Sequence, residues 1–296
     1  MNSLLGLLIL FMCVFGVFFL QGGSVEVMLD ALPAEMATIL GAGIASMIVA
    51  NRPETLRYVL LGIKRVFERT KWQRQDYLDT IVLVSSLLRT LKTKGPKAIE
   101  EDIENPGASQ IFRNYPNLLA EKPLIDMITD TIRMMVASTG GLNAYAVEDL
   151  MIARIKLVRS HDTHATHALD TLAGALPALG IVACVLGIIK TMASIDQPPA
   201  ILGGLIGAAL LGTFLGVFLA YGIVEPFAKR LAQISEDEVQ IYNVVRQVIV
   251  ATLHGHPQPL VIEAARVAIS LEMQPSFDDV FESLTSRVPK DAEQDV

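Results

Sequence analysis

The chain has 296 residues, 52% of them apolar and 19% charged, with a net charge of −7 and a mean hydropathy of +0.46. Soluble domains run about 45–50% apolar on a count that includes Gly, and about 25% charged, so a single soluble domain and a disordered chain are both excluded. A pI near 5.3 argues against a nucleic-acid binder. The two cysteines, Cys13 and Cys184, stand far apart in apolar stretches and form neither a disulfide framework nor a Cys-based metal site.

Four stretches have the length and low charge needed to cross a bilayer, roughly 17–25 residues each: residues 3–20, 31–50, 171–189 and 200–224. The first lacks the basic start and small-x-small cleavage site of a secretion signal, so it is read as a span. The second carries Glu35 near its start, where a carboxylate at a helix end can reach the interface. Of the 24 Lys and Arg, 17 lie between Arg52 and Arg159 and six follow the fourth stretch, leaving only Lys190 elsewhere. Basic residues are retained on the cytoplasmic side, so the short loops near 21–31 and 190–199 face outward and both termini face the cytoplasm. The chain reads as all-α: spans in 1–50, a helical cytoplasmic insertion in 51–170, spans in 171–225, and cytoplasmic helices with an acidic tail in 226–296.

In the insertion, Pro53 and Pro96 suit the first turn of a helix. Tyr77, Ile81, Val84, Leu87, Leu88 and Leu91 recur as on one buried helix face. Residues 226–253 and 257–271 read as two more helices. The last 25 residues carry seven acids against two bases and read as a solvated end.

Chemistry is sparse. In the fourth span Gly204, Ala208, Gly212, Gly216 and Ala220 follow one another at every fourth position, a face on which small side chains let another helix approach. Pro177 interrupts the third span's hydrogen bonding. Ion-moving membrane proteins usually keep a carboxylate or histidine at bilayer depth, yet spans three and four hold none, with Asp196 in the loop between them. A conducted ion therefore calls for a titrating group on another chain. His161, His164 and His167 spread over about 120° of a helix and form no metal site. There is no phosphate loop and no nucleophile–base pair, so neither an enzyme nor a cofactor is expected.

The order of motifs resembles the MotA family of flagellar motor stator proteins. The residues carrying the likeness are Gly22-Gly23-Ser24, Gly41-Ala42-Gly43-Ile44, Asp102-Ile103-Glu104-Asn105-Pro106, and Leu176-Pro177-Ala178-Leu179-Gly180-Ile181-Val182. They continue with Gly212-Thr213-Phe214-Leu215-Gly216, Leu219-Ala220-Tyr221-Gly222, Pro226, and Pro275-Ser276-Phe277. The resemblance implies an inner-membrane subunit of an ion-driven torque generator. Several copies, a pentamer by resemblance, would surround single-span MotB chains whose membrane Asp binds the ion. It further implies that Pro177 and Pro226 couple ion binding to movement, that Thr213 faces the partner's Asp, and that Lys92 and Glu100 meet the rotor protein FliG. The basic residues Arg154, Lys156 and Arg159 depart from the acidic enterobacterial pattern.

The coupling ion is expected to be the proton. Thr213 supplies one hydroxyl, whereas the facing run Val182-Ala183-Cys184-Val185-Leu186 of span three offers no side-chain oxygen for sodium. Thr213 and Ala183 both lie ~12 residues, or ~18 Å, from the cytoplasmic ends of their spans. A TolQ/ExbB-like energiser of envelope processes and a passive channel or scaffold are the rival readings.

Overall fold

The computed structural model describes residues 2–23, 25–68, 70–138 and 142–286, with backbone only at 2, 161 and 162. Ser24 and the last ten residues of the acidic tail lie outside the described residues. Among those described, the chain is helical and contains no strand. It divides into two compact units, Met1–Arg69 with Asp162–Ile234, and Thr70–His161 with Ser235–Val296.

The first unit holds four helices long and apolar enough to cross a membrane. Span one is Ser3–Leu20, with a π-helical stretch at Met12–Gly16. Span two is Val25–Ala50, starting six residues earlier than the hydropathy suggests, with Pro33 inside it. Span three is the end of a 49-residue helix, Ala144–Met192. Span four is Pro199–Val217, opened by a proline at its first turn. It runs through a π-helical segment, Phe218–Val224, into the helix Glu225–Leu253. Phe11 and Phe15 of span one meet Phe214 of span four and Phe218 of the π-helical segment edge to face at 5.3–6.0 Å, the favoured geometry for aromatic pairs. Pro53 opens the amphipathic helix Pro53–Arg65. Its Val59, with Val66, closes a second apolar cluster against Ala165, Ala168, Leu169, Ala228 and Leu231.

The second unit has one continuous core. Helix Arg74–Lys94 buries the row read from its periodicity, Tyr77, Ile81, Val84, Leu87 and Leu88, against Leu124, Ile128, Ile132, Val245, Val248 and Ile249. The helix begins with a capping box between Gln73 and Asp76, and Asn117 donates to the buried Asp76 at 3.0 Å. Trp72 Nε1 and the Tyr77 hydroxyl donate to the carbonyls of Glu238 and Asp237. Burial, followed by the charges of Asp237, Asp76 and Glu238, pushes the Tyr77 hydroxyl up to about 12. Pro96 opens a three-residue 3-10 turn, Pro96–Ala98, instead of an α-helix.

The tail is not simply a solvated end. Phe277–Ser286 forms a helix that buries Val280, with Phe277 and Leu284 packed on the same core. The Ser276 and Asp279 side chains each accept from the other's backbone N–H. That cap, with Arg74 nearby, holds the Asp279 carboxyl below its ordinary range.

Candidate functional site

Spans three and four of the first unit meet through an antiparallel seam of small residues. Gly180, Ala183 and Gly187 on one helix face Gly216, Gly212 and Ala209 on the other. A Cβ at Gly180 would lie 2.8 Å from the Gly212 carbonyl oxygen, one at Gly216 2.7 Å from the Leu176 carbonyl oxygen, and one at Gly187 2.7 Å from the Ala209 Cβ. Both rows step three and then four residues, which keeps them on one face of each helix. The evenly spaced row read from the sequence is therefore half right: Gly212, Gly216 and Ala220 are buried, but a Cβ at Gly204 would meet open space. Backbone contact this close needs glycine, because any side chain would wedge the helices apart.

Glu35 is placed differently from the sequence reading. Because span two begins at Val25, Glu35 is not at a helix end; it lies ten residues, or ~15 Å, inside. A Cβ at Gly212 would lie 2.7 Å from Glu35 Oε2, 3.2 Å from Ala183 Cβ and 3.2 Å from the Cys184 backbone nitrogen. Glu35 Oε2 is buried with no hydrogen-bond partner among the described residues. A carboxyl thus stands within this chain against the seam, although spans three and four supply none themselves. A boundary drawn from hydropathy at residue 31 hid it, since Glu26 and Asp30 depress the average over the helix's first turns.

The seam gathers Ala183, which is 3% exposed, with Gly212 and the carboxyl of Glu35. Thr213, the next residue, is half-buried. Pro177 lies inside the third-span helix, where it cannot donate to the Ala173 carbonyl. Pro226 is exposed, just beyond the π-helical segment Phe218–Val224. A proline cannot donate and crowds the carbonyl four residues back, here Gly222, which accounts for a widened turn at that place. The aromatic pairs with Phe218 lie on this π-helical segment, a feature that hydropathy and residue spacing do not register.

In the second unit, Lys92 stands in the last turn of helix Arg74–Lys94 and Glu100 opens helix Glu100–Glu104. Both are exposed. The Asp102-to-Pro106 motif builds the support for this face. Ile103 is buried, and the Ser109 hydroxyl donates to Asp102 at 2.5 Å while capping the helix Gln110–Arg113. Glu104 accepts from Arg133 at 2.8 Å. Arg133 also pairs with Asp130, which holds Arg154 at 2.8 Å. Glu104, followed by Asp130, raises the Arg133 guanidinium above its ordinary range. Arg159 pairs with Glu236. Two of the three basic residues that depart from the acidic pattern thus pair with acids of the same unit, Arg159 in a surface pair, and Lys156 is exposed. His164 and His167 stand on the long helix, and the side chain of His161 lies outside the described residues.

Comparison with known proteins identifies this arrangement. Residues 4–95 match the Motility protein A N-terminal family, and residues 120–244 match the MotA/TolQ/ExbB proton channel family. Motility protein A of Escherichia coli strain K12 is 35% identical over 282 residues, 95% of this chain and 94% of that protein. The chain belongs to the MotA family of flagellar motor stator proteins. Chemotaxis protein LafT of Vibrio parahaemolyticus is 32% identical over 280 residues, 95% of this chain and 97% of that protein. The fold is shared with solved structures of C. jejuni MotAB, with a TM-score of 0.71, 15% identity and coverage of 92% and 96% of the two chains. It is shared equally with the flagellar MotAB stator complex from Bacillus subtilis, at 0.70, 20%, 92% and 98%. The motility-specific match over residues 4–95 favours a MotA-type stator over an envelope energiser. The two family matches include Pro177, Ala183, Thr213 and Lys92, while Glu100 falls between them.

Proposed function

We propose that this MotA-type subunit lies in the bacterial inner membrane with both termini in the cytoplasm. As a pentamer around single-span MotB-type chains, it turns proton flow into torque on a FliG-type rotor protein. The observation that carries the reading is the close-packed glycine seam, to which spans three and four contribute no charged side chain and in which Ala183 lies against Gly212, with Thr213 the next residue of span four. A wall of this kind binds no ion tightly by itself. It presents small residues and one hydroxyl to a carboxylate brought by a partner, and the C. jejuni and B. subtilis relatives are MotAB complexes.

The mechanism is electrostatic. An ionised partner Asp is costly at bilayer depth and seeks the Thr213 hydroxyl; once protonated it loses that preference and can leave. Each change of partner position alters what the seam packs against. Pro177, which leaves one backbone hydrogen bond of span three unmade, and the π-helical segment just before Pro226 are where these helices bend at least cost. Lys92 and Glu100 then act as the charged face that engages the rotor. Sodium is disfavoured because Ala183 and its neighbours on span three provide no side-chain oxygen to complete a coordination shell.

The test is rescue of motility. Production of this chain with its own MotB-type partner in a strain lacking both stator proteins should restore swimming, and partner Asp→Asn should abolish it. An inserted, partner-bound chain that restores no rotation would contradict the reading.

A further inference from the structure

The ion-path reading leaves Glu35 without a task. It is a carboxyl within the membrane unit, ~15 Å from the outer end of span two. Counted from the outer ends of their own helices, Gly212 lies 13 residues from Pro199 and Ala183 nine residues from Met192, so the three sit at ~20, ~14 and ~15 Å. The carboxyl oxygen Oε2 is buried, lacks a hydrogen-bond partner among the described residues, and fills the space left by the missing side chain of Gly212. Carboxyls at such depth are expensive, and they mark proton and ion pathways.

The groups around it sharpen the assignment. On its own helix, Glu26 and Asp30 lie further out. On span three the titratable side chains are the buried thiol of Cys184, beside the same Gly212, and Lys190 two residues from the outer end. Span four has no charged or titratable side chain between Pro199 and Tyr221, and Asp196 belongs to the loop. Among the described residues, therefore, no cation stands at the level of Glu35 to make it a structural ion pair. On the proposed proton-driven reading, we infer that Glu35 is this chain's own proton-binding group on the ion path. It takes a proton from the outer aqueous side onto Oε2, becoming a neutral carboxylic acid, and releases that proton toward the partner's carboxylate along the Ala183–Gly212–Thr213 wall. Gly212 is then the vacancy that lets the carboxyl reach the seam.

The test uses the complete complex with its MotB-type partner, reading proton influx with a pH dye and swimming speed against external pH. Glu35→Gln keeps shape and removes the titration. It should insert and co-purify with the partner at normal levels, lower proton influx several-fold, and lose or displace the wild-type dependence on external pH. Glu35→Asp should recover part of the influx with a shifted pH midpoint. Wild-type influx and pH profile in Glu35→Gln would overturn the assignment. Should Glu35→Gln fail to accumulate, Glu35→Asp decides: an unchanged pH profile overturns the assignment and a shifted one supports it. A wild-type complex that neither conducts protons nor drives swimming would instead contradict the stator reading itself.

Discussion

Gly180 and Gly216 face each other so closely that a Cβ built on Gly216 would lie 2.8 Å from the Gly180 Cα, and one on Gly180 3.0 Å from the Gly216 Cα. Neither side can yield by turning a rotamer, because the obstruction is backbone. Gly180→Ala or Gly216→Ala should therefore force spans three and four apart. Overpacking of this kind costs about 1–3 kcal/mol, and here it also displaces Ala183 and Gly212 from a shared carboxylate. Both variants should insert yet lose most swimming speed, whereas Gly203→Ala, where a Cβ meets open space, should swim normally. Equal motility of all three variants would refute the seam's role.

The rotor-facing proposal is tested by charge reversal. Lys92 and Glu100 are exposed, and exposed pairs contribute only about 0–1 kcal/mol each, so single neutralisations should slow rotation modestly. The double variant Lys92→Glu with Glu100→Lys should impair motility while expression and membrane insertion stay normal. Normal swimming would make this face an ordinary solvated surface.

Tyr77 offers a stability test with a definite sign. Its folded-state hydroxyl is raised from the ordinary value of 10.0 to about 12, so between those pH values the unfolded chain ionises while the folded one stays protonated. The unfolded state then binds fewer protons, and stability falls as pH rises through that window, by on the order of 2 kcal/mol. Thermal melting of the detergent-purified chain should show this alkaline loss, and Tyr77→Phe should flatten it. An equally steep loss in the variant would assign it to other groups.

Much of the architecture was legible because hydropathy reports burial in lipid directly, and because the 3.6-residue row from Tyr77 to Leu88 reports burial in the soluble core. A first-turn proline marked the start at Pro53. What escaped the sequence has specific causes. A charged first turn masked the start of span two, and with it the depth of Glu35. Even spacing of small residues could not show which neighbours each would meet, so Gly204 was grouped with Gly212 although only the latter joins the seam. The acidic composition of the tail concealed the Ser276–Asp279 cap and the burial of Val280. The π-helical segment before Pro226 arises from a proline acting on the preceding turn, a local effect that an average over many residues erases.

Orientation is open to chemical labelling. In a background with Cys13 and Cys184 replaced, Gln197→Cys, which is exposed in the loop after span three, should react with an impermeant thiol reagent in intact cells. Lys97→Cys, also exposed, should react only after the membrane is opened. Ser109 is a poor probe despite its central place in the insertion, since it is buried and caps a helix. Labelling of Lys97→Cys from outside would invert the topology.

The central claim, that proton flow through the Thr213–Ala183 wall is what this subunit converts to torque, is met most directly by motor speed at a fixed proton-motive force while external sodium is replaced by potassium. With no side-chain oxygen on span three between Val182 and Leu186, rotation should continue at unchanged speed. Motors that stop when sodium is withdrawn, and restart when it is returned, would contradict proton coupling.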